Sequence, residues 1–231
     1  IDSRVKANPT YGQSIVSYVG NATAGATVGH GLSSAPEMMI IKNRDQAIDW
    51  IAWHEALADD YHLRFHDTHA ALLSGTRFNS TDPSSTVFTL GTQDDTNGSS
   101  KNMIAYCFHS VTGYSKFGSY TGNGSSSGAT VTLGFRPAFI MIKCTSHTSD
   151  WRIWDNMRNN TTAGTNSPRH MLANTDAAEN ATLDIRFTDT GFIPKTADGE
   201  INGSGKTYIY MTFADKREYA YWLDQSGNNN D

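Results

Sequence analysis

Residues 119–155 read SYTGNGSSSGATVTLGFRPAFIMIKCTSHTSDWRIWD, and residues 17–54 have already read SYVGNATAGATVGHGLSSAPEMMIIKNRDQAIDWIAWH. Gly25-Ala26-Thr27-Val28 returns as Gly128-Ala129-Thr130-Val131, and Pro36, Lys42, Asp49-Trp50 and Trp53 return as Pro137, Lys143, Asp150-Trp151 and Trp154. From the prolines to the tryptophans the spacing is a constant 101 residues. Further along, Asn97-Gly98-Ser99-Ser100-Lys101 and the run to Phe108 return as Asn202-Gly203-Ser204-Gly205-Lys206 and the run to Phe213. A unit that recurs after about a hundred residues is domain-sized and not a solenoid repeat, so the pattern predicts an internal duplication.

Within each copy, short runs rich in β-branched and aromatic residues are separated by Gly, Asn, Ser and Pro clusters, the mark of strands and turns. In the first copy these runs are 15–19, 26–28, 37–42, 49–53, 87–90 and 103–108. The second copy adds 114–117, 171–172, 183–187, 192–193 and 207–213 to the repeated stretch. Met38-Met39-Ile40-Ile41 is apolar on both pleat faces, and so is Ala138-Phe139-Ile140-Met141-Ile142. Such a run predicts a central strand covered from both sides. Residues 55–62, EALADDYH, read as a short helix, and residues 94–98 as a turn.

This density of strands predicts an all-β chain of two tandem β-sandwich lobes, jelly-roll or lectin-like, related by the duplication and packed with pseudo-twofold symmetry. Residues 1–13 are a linker or leading edge strand, 14–112 the first repeat and 113–223 the second. KREYAYWLD at 216–224 is read as a final strand or strap, and residues 224–231 as a polar C-terminal junction. The nearest alternative is one composite sandwich with a half-sheet from each copy.

Hydrophobic residues make up 38% of the 231 and charged ones 18%, with 20 glycines, which describes a globular, turn-rich chain. A net charge of −5 without a basic cluster gives no electrostatic footprint for nucleic acid or an anionic membrane. No apolar run has transmembrane length and no signal segment opens the chain, so membrane insertion is not expected. The start at Ile1, without an initiator methionine, suggests a piece of a longer protein. Cys107 aligns with Thr212 and Cys144 with Asn43, so both cysteines are expected to be reduced and structural.

SYVGNATAGATVGHGL, VFTLGTQDDTNGSSKNMIAYCF, GYSKFGSYTGNGSSSGATVTLGFRPAFIMIK and DWRIWD closely resemble a duplicated domain of phage virion proteins. That domain occurs in tail, tail-fibre and other large structural proteins, especially of marine phages, often near lectin-like sandwiches of the concanavalin type. The resemblance covers roughly residues 14–213 and attaches no catalytic or binding residues to the motif. It implies a virion component that binds host-surface glycans or other virion proteins, with self-association in the particle left open. A glycan-degrading tail enzyme and a purely architectural virion protein are the alternatives. The sequence departs from the family pattern in its histidines between 54 and 69.

Four constellations that suggest chemistry each have a plainer reading. Gly203-Ser204-Gly205-Lys206-Thr207 lacks the glycine a phosphate loop needs at position 200, where Glu200 sits, and precedes a strand instead of a helix. Gly124-Ser125-Ser126-Ser127-Gly128 has the spacing of a nucleophile elbow, but again a strand follows, and a glycine-serine turn is the better reading. His62, His66 and His69 share no single strand face and are read as solvated loop histidines. Asp49 and Asp150 recur in both copies, which favours a role in the shared fold over a glycosidase pair. No catalytic residue, metal or cofactor is assigned.

The tryptophans supply the candidate site. Alternation places Trp50 with Ala52 and Trp151 with Ile153 on one face, and Ile51 with Trp53 and Arg152 with Trp154 on the other. Arg152 is hard to bury unpaired, so Trp50 and Trp151 are expected in the core while Trp53 and Trp154 look outward. An outward tryptophan can stack under a sugar ring, pack on the sister lobe or sit beneath a loop. With His54 and Asp155 as a polar edge, Trp53, His54, Trp154 and Asp155 form the candidate ligand-binding set.

Overall fold

The computed structural model describes residues 1–158 and 169–215. The strand expected at 216–224 and the junction at 224–231 lie outside the described residues.

The first half contains β1 (Ser3–Asn8), β2 (Gln13–Val19), β3 (Ala26–Gly29), β4 (Met38–Asn43), β5 (Trp50–His54), β6 (Tyr61–Arg64), β7 (Leu72–Leu73), β8 (Val87–Leu90), α1 (Asp94–Asn97) and β9 (Asn102–Phe108). The second contains β10 (Ser115–Thr121), β11 (Val131–Thr132), β12 (Pro137–Cys144), β13 (Arg152–Asp155), β14 (Met171–Leu172), β15 (Ile185–Thr188), β16 (Gly191–Pro194) and β17 (Thr207–Ala214). The first half forms a large sheet, β1-β2-β9-β4-β5-β6-β7, and a small one, β3-β8. The second forms β10-β17-β12-β13-β14 and β11-β16-β15. The described chain is therefore nearly all-β and antiparallel, each half a large sheet facing a small one, which is a β-sandwich arrangement.

The order β2-β9-β4-β5-β6 of one half is the order β10-β17-β12-β13-β14 of the other. Register agrees as well. Met38 lies opposite Phe108 and His54, and Phe139 opposite Phe213 and Asp155. In the small sheets Val28 lies opposite Phe88, and Val131 opposite Phe192. Buried polar groups repeat too, because each must find a partner. Tyr18 Oη donates to the Thr96 carbonyl at 2.6 Å, and Tyr120 Oη to the Ile201 carbonyl at 2.6 Å. Asn97 accepts from the Asn21 amide at 2.9 Å and donates to the Gly91 carbonyl at 2.7 Å. Asn202 accepts from the Asn123 amide at 3.0 Å and donates to the Thr196 carbonyl at 2.6 Å. A Cβ at Gly20 would strike the Gly98 carbonyl, and one at Gly122 the Gly203 carbonyl, so both positions need glycine for close approach.

Three apolar clusters fill the described part of the molecule. Val16, Val28, Met39, Ile41, Ile51 and Phe88 belong to the core between the first pair of sheets. Val131, Ile140, Ile142, Trp154, Phe192 and Tyr208 belong to the second. The third joins Met38, Ile40, Ala52 and Leu63 of the first large sheet to Phe117, Met141, Trp151 and Ile209 of the second. The large sheets thus pack face to face, and the molecule has four layers: small, large, large, small. This is why Met38-Met39-Ile40-Ile41 is apolar on both faces: one face meets its own small sheet and the other meets the sister sheet. Each aliphatic side chain buried in that seam contributes roughly 1.5–3 kcal/mol.

Residues 55–60 form turns and not a helix, with Leu57 N donating to the His54 carbonyl at 2.9 Å and Tyr61 N to the Ala58 carbonyl at 3.0 Å. The apolar Leu57 enters the interlobe cluster, so tertiary packing overrides the local helix signal. Residues 94–97, read as a turn, make a single helical turn. Residues 3–8 form the edge strand allowed for, paired along β2.

Candidate functional site

Trp53 is buried in the first core and Trp154 is fully buried in the second, its ring centroid 5.3 Å from that of His170. Trp151 is buried in the interlobe cluster, its Nε1 donating to the Arg64 carbonyl at 2.9 Å, and Trp50 packs there half-buried. The expected outward orientation of Trp53 and Trp154 is overturned. Arg152 shares the core face with Trp154 because it is buried but paired. Its Nη2 lies 2.9 Å from Glu200 Oε2 and 3.4 Å from Asp150 Oδ2, and its Nη1 lies 2.6 Å from His170 Nε2. A charge so paired can occupy a core face. The opposite face is covered as well, by the sister sheet.

The polar partners of the set do not open a site either. His54 is buried, its Nδ1 accepting from the Ala56 amide at 3.0 Å, and burial lowers its pKa to about 4, only partly offset by the Tyr210 backbone. Burial works to raise the pKa of Asp155, but hydrogen bonds from the Arg158 amide and guanidinium outweigh it, and the carboxyl lies below its ordinary value. Its Oδ2 is 2.6 Å from Arg158 Nε. Trp53, His54, Trp154 and Asp155 therefore do not converge on a ligand surface.

A different correspondence emerges from strand pairing. Ile51 and Ala52 pair with Arg64 and Leu63, while Arg152 and Ile153 pair with Leu172 and Met171, which puts His62 and His170 at the same place in the two halves. Each is 1% exposed. Burial first, then the nearby Arg77 and Arg64, lower the His62 pKa to about 4. Burial first, then Arg152 and Arg158, lower that of His170 to about 4. Both are neutral at pH 7. Burial of His62 corrects its reading as solvated, while His66 and His69 are exposed and pair with Asp49 at 3.3 Å and Asp67 at 2.8 Å. The sequence hides this pairing because the segment between β5 and β6 differs in length from that between β13 and β14. Among the described residues, no three His, Cys, Asp or Glu side chains gather as metal ligands.

The recurring carboxylates have the clearest geometry. Glu200 follows the helical-turn position of Asp95, two residues before the paired asparagines Asn97 and Asn202. In the second half Arg152 alone spans Asp150 and Glu200. In the first half Ile51 takes the place of Arg152, and the carboxylates are served separately. Arg64 Nε lies 2.9 Å from Asp49, and Arg77 Nη2 lies 2.6 Å from Asp95. Between the β4–β5 turn and α1 a cleft of about 320 Å³ remains, lined by Ala47, Ile48, Asp49, Gln93, Asp94 and Asp95. Burial raises the Asp95 pKa, Arg77 opposes the rise, and Asp49 adds to it.

A second contrast lies at the matched lysines. Lys143 is fully buried and donates to the carbonyls of Ser149 at 2.9 Å, Cys144 at 3.1 Å and, across the seam, Thr68 at 3.2 Å. Burial lowers its pKa to about 8. Lys42 is half-buried and donates to the carbonyls of Gln46 and Ile48 in its own turn. Cys107 and Cys144 are free and buried. Gly124 and Gly128 take positive φ in the turn before β11, and β17 follows Lys206, so neither glycine motif leads into a helix.

Fold and side-chain arrangement define a pair of antiparallel β-sandwiches docked through their large sheets. The chain matches, over residues 1–217, the family described as Domain of unknown function (DUF7483), and it belongs to that family. The match runs across both sandwiches. No curated protein and no solved structure matches the chain. Among the described residues, no helix is long and apolar enough to cross a membrane.

Proposed function

We propose that this chain is a non-catalytic module of a phage virion that arose by internal duplication, a two-sandwich block that contacts host-surface glycans or other virion proteins through its loops and edges. The observation that supports this reading most is the interlobe cluster of Met38, Ile40, Met141, Trp151 and Ile209, which joins the halves into one block suited to bearing load. The resemblance of the repeated stretches to virion domains supplies the setting. Among the described residues, Tyr11 is the aromatic left exposed, its ring 4.8 Å from that of Tyr114, and it replaces the tryptophans as the surface on which a sugar ring would stack.

A glycan array on the isolated chain, with host-cell pull-down beside it, tests the proposal. Binding without turnover, weakened by Tyr11→Ala, is the expected result. Silence on both, with incorporation into particles retained, would reduce the function to architecture. A second reading, a glycan-degrading enzyme, draws on one observation: Asp95, raised by burial, and Asp49, held by Arg64, line one cleft as an acid and a carboxylate would. New reducing ends released from a bound glycan, lost in Asp95→Asn, would establish it in place of the first.

A further inference from the structure

In the first half the outer edge of β2 is closed by β1, with Arg4 opposite Ser17, Val5 opposite Val16 and Ala7 opposite Ser14. Among the described residues, the second half has no such strand. Ser17-Tyr18-Val19-Gly20 matches Ser119-Tyr120-Thr121-Gly122, which makes β10 the counterpart of β2, and β10 stands at the edge of its sheet. Residues 109–114, between β9 and β10, are too few to run along that edge and turn back. They close only its first part, where Val111 pairs with Ser115 and the Phe117 amide donates to Ser110 Oγ at 3.1 Å. Beyond that point the edge is open. The Ala214 amide donates to the Tyr114 carbonyl and the Gly122 amide to the Lys206 carbonyl, so even-numbered residues of β10 bond to β17. The exposed Ser119 and Thr121 therefore turn their backbone groups outward.

The small sheets supply a second observation. Gly31 and Gly134 are matched glycines with positive φ. A Cβ on Gly31 would meet Val5 Cγ1 at 2.8 Å and Ala7 Cβ at 3.3 Å, because β1 fills the space beside it. At Gly134 the same space is empty: among the described residues, nothing lies within 4 Å. Ser3 Oγ of β1 donates to the Gly29 carbonyl at 3.3 Å, whereas at the matching Thr132 carbonyl Lys116 Nζ takes that place at 3.1 Å.

We propose that the open edge of β10 receives an extended strand from a partner protein, antiparallel as β1 is to β2, with a β-branched apolar residue over Gly134 and a carboxylate beside Lys116. In the register of β1 on β2, the place of Val5 falls opposite Gly118 and the place of Ala7 opposite Lys116. Main-chain hydrogen bonds along such an edge give affinity, and alternate side chains give specificity. The run Phe117-Gly118-Ser119-Tyr120-Thr121 carries no charge and no proline, the devices that blunt an edge, whereas β1 presents Arg4 and Lys6 at the other. A second copy pairing through its own β10 would bring another Lys116 and no carboxylate, so self-pairing is disfavoured.

The test is amide hydrogen exchange and chemical-shift mapping on the full chain with blocked hexapeptides. SRVKEN keeps the β1 sequence with glutamate in place of its alanine, SRVKKN reverses that charge, and SPVKEN removes the amide that would face Ser119. With SRVKEN, saturating shifts at residues 116–121 and 132–135 are expected, and exchange at Ser119 and Thr121, fast in the free chain, should slow several-fold. SRVKKN should bind more weakly and SPVKEN not at all. Lys116→Glu should reverse the preference, favouring SRVKKN over SRVKEN. Shifts elsewhere only, equal binding of SPVKEN, or an unchanged preference in Lys116→Glu would overturn the proposal. So would slow exchange at Ser119 and Thr121 without peptide, whether at all concentrations, which means that the chain fills the edge itself, or only at high concentration, which means a second copy. The inference rests on the reading of a module that makes contacts through its edges, yet the two fail separately: silence on glycans and cells leaves peptide binding standing, and absent peptide binding leaves the glycan result standing.

Discussion

Ile51 and Arg152 stand at the same point of the two halves, opposite Ile41 and Ile142, yet one is an apolar core residue and the other a buried cation. What the halves share is the strand frame and the position of the carboxylates. The counter-cation is free to move. In the first half it comes from β6 and the 74–80 loop as Arg64 and Arg77, and in the second from β13 itself as Arg152. A repeated fold can thus keep its backbone register while rewiring the charges within it, because register depends on the apolar pattern and the pleat, and ion pairs only on a partner within reach.

The largest effect is expected at the matched tryptophans. Trp53→Ala and Trp154→Ala should each destabilise the chain by about 3–5 kcal/mol, since both side chains fill a sandwich core. Urea midpoints of the two variants measure it. A near-neutral result for either would show that its face is not covered and would separate the two halves in build.

A smaller contrast is expected at the matched histidines. A pKa lowered from 6.5 to about 4 in the folded chain means that only the unfolded chain takes up the proton between those values. Stability from each group is complete above pH 6.5 and is lost as pH falls toward 4, by up to about 3 kcal/mol per histidine. His62→Leu and His170→Leu should each flatten that acid loss in a melting-temperature profile. At pH 7 they should differ. His62→Leu gives up only an interaction with the Leu72 backbone, whereas His170→Leu takes the acceptor from Arg152 Nη1 and should cost about 1–3 kcal/mol. Equal costs at pH 7 would remove Arg152 from the explanation.

The lysines give a narrower effect. With its pKa lowered from 10.5 to about 8, the Lys143 amine binds a proton in the unfolded chain first as pH falls. Its contribution is full above pH 10.5 and declines, by roughly 3 kcal/mol in all, as pH drops through 8. The stability difference between wild type and Lys143→Met should therefore change across that window. Lys42→Met, at a half-buried position bonded within its own turn, should cost less than about 1 kcal/mol at pH 7. A pH-independent difference for Lys143→Met would mean that the amine is not buried at the seam.

Much of this frame was readable from residues alone. The gapless spacing from Pro36 to Trp53 anticipates the register of β4 and β5 in both halves, since turns of equal length fix equal pairings. The doubly apolar run at 38–41 anticipates cover on both sides, though not that the outer cover is the sister sheet. The site was less legible. Arg152 finds Glu200 at a separation of 48 residues, beyond any local pattern, and without that partner the face of Trp154 looks exposed. His62 and His170 match only once β6 and β14 are paired to their neighbours. The cleft depends on the β4–β5 turn meeting α1, a tertiary juxtaposition that no spacing encodes.

The seam between the large sheets joins the two halves, and fluorine NMR of the chain labelled with 5-fluorotryptophan reports on it residue by residue. Trp53 reports on the first core, Trp154 on the second and Trp151 on the seam. During urea titration the three native signals should disappear at a single shared midpoint, because the halves bury their large sheets against each other and unfold together. Separate midpoints for Trp53 and Trp154, with the Trp151 signal lost before either, would show two independent sandwiches and contradict the account.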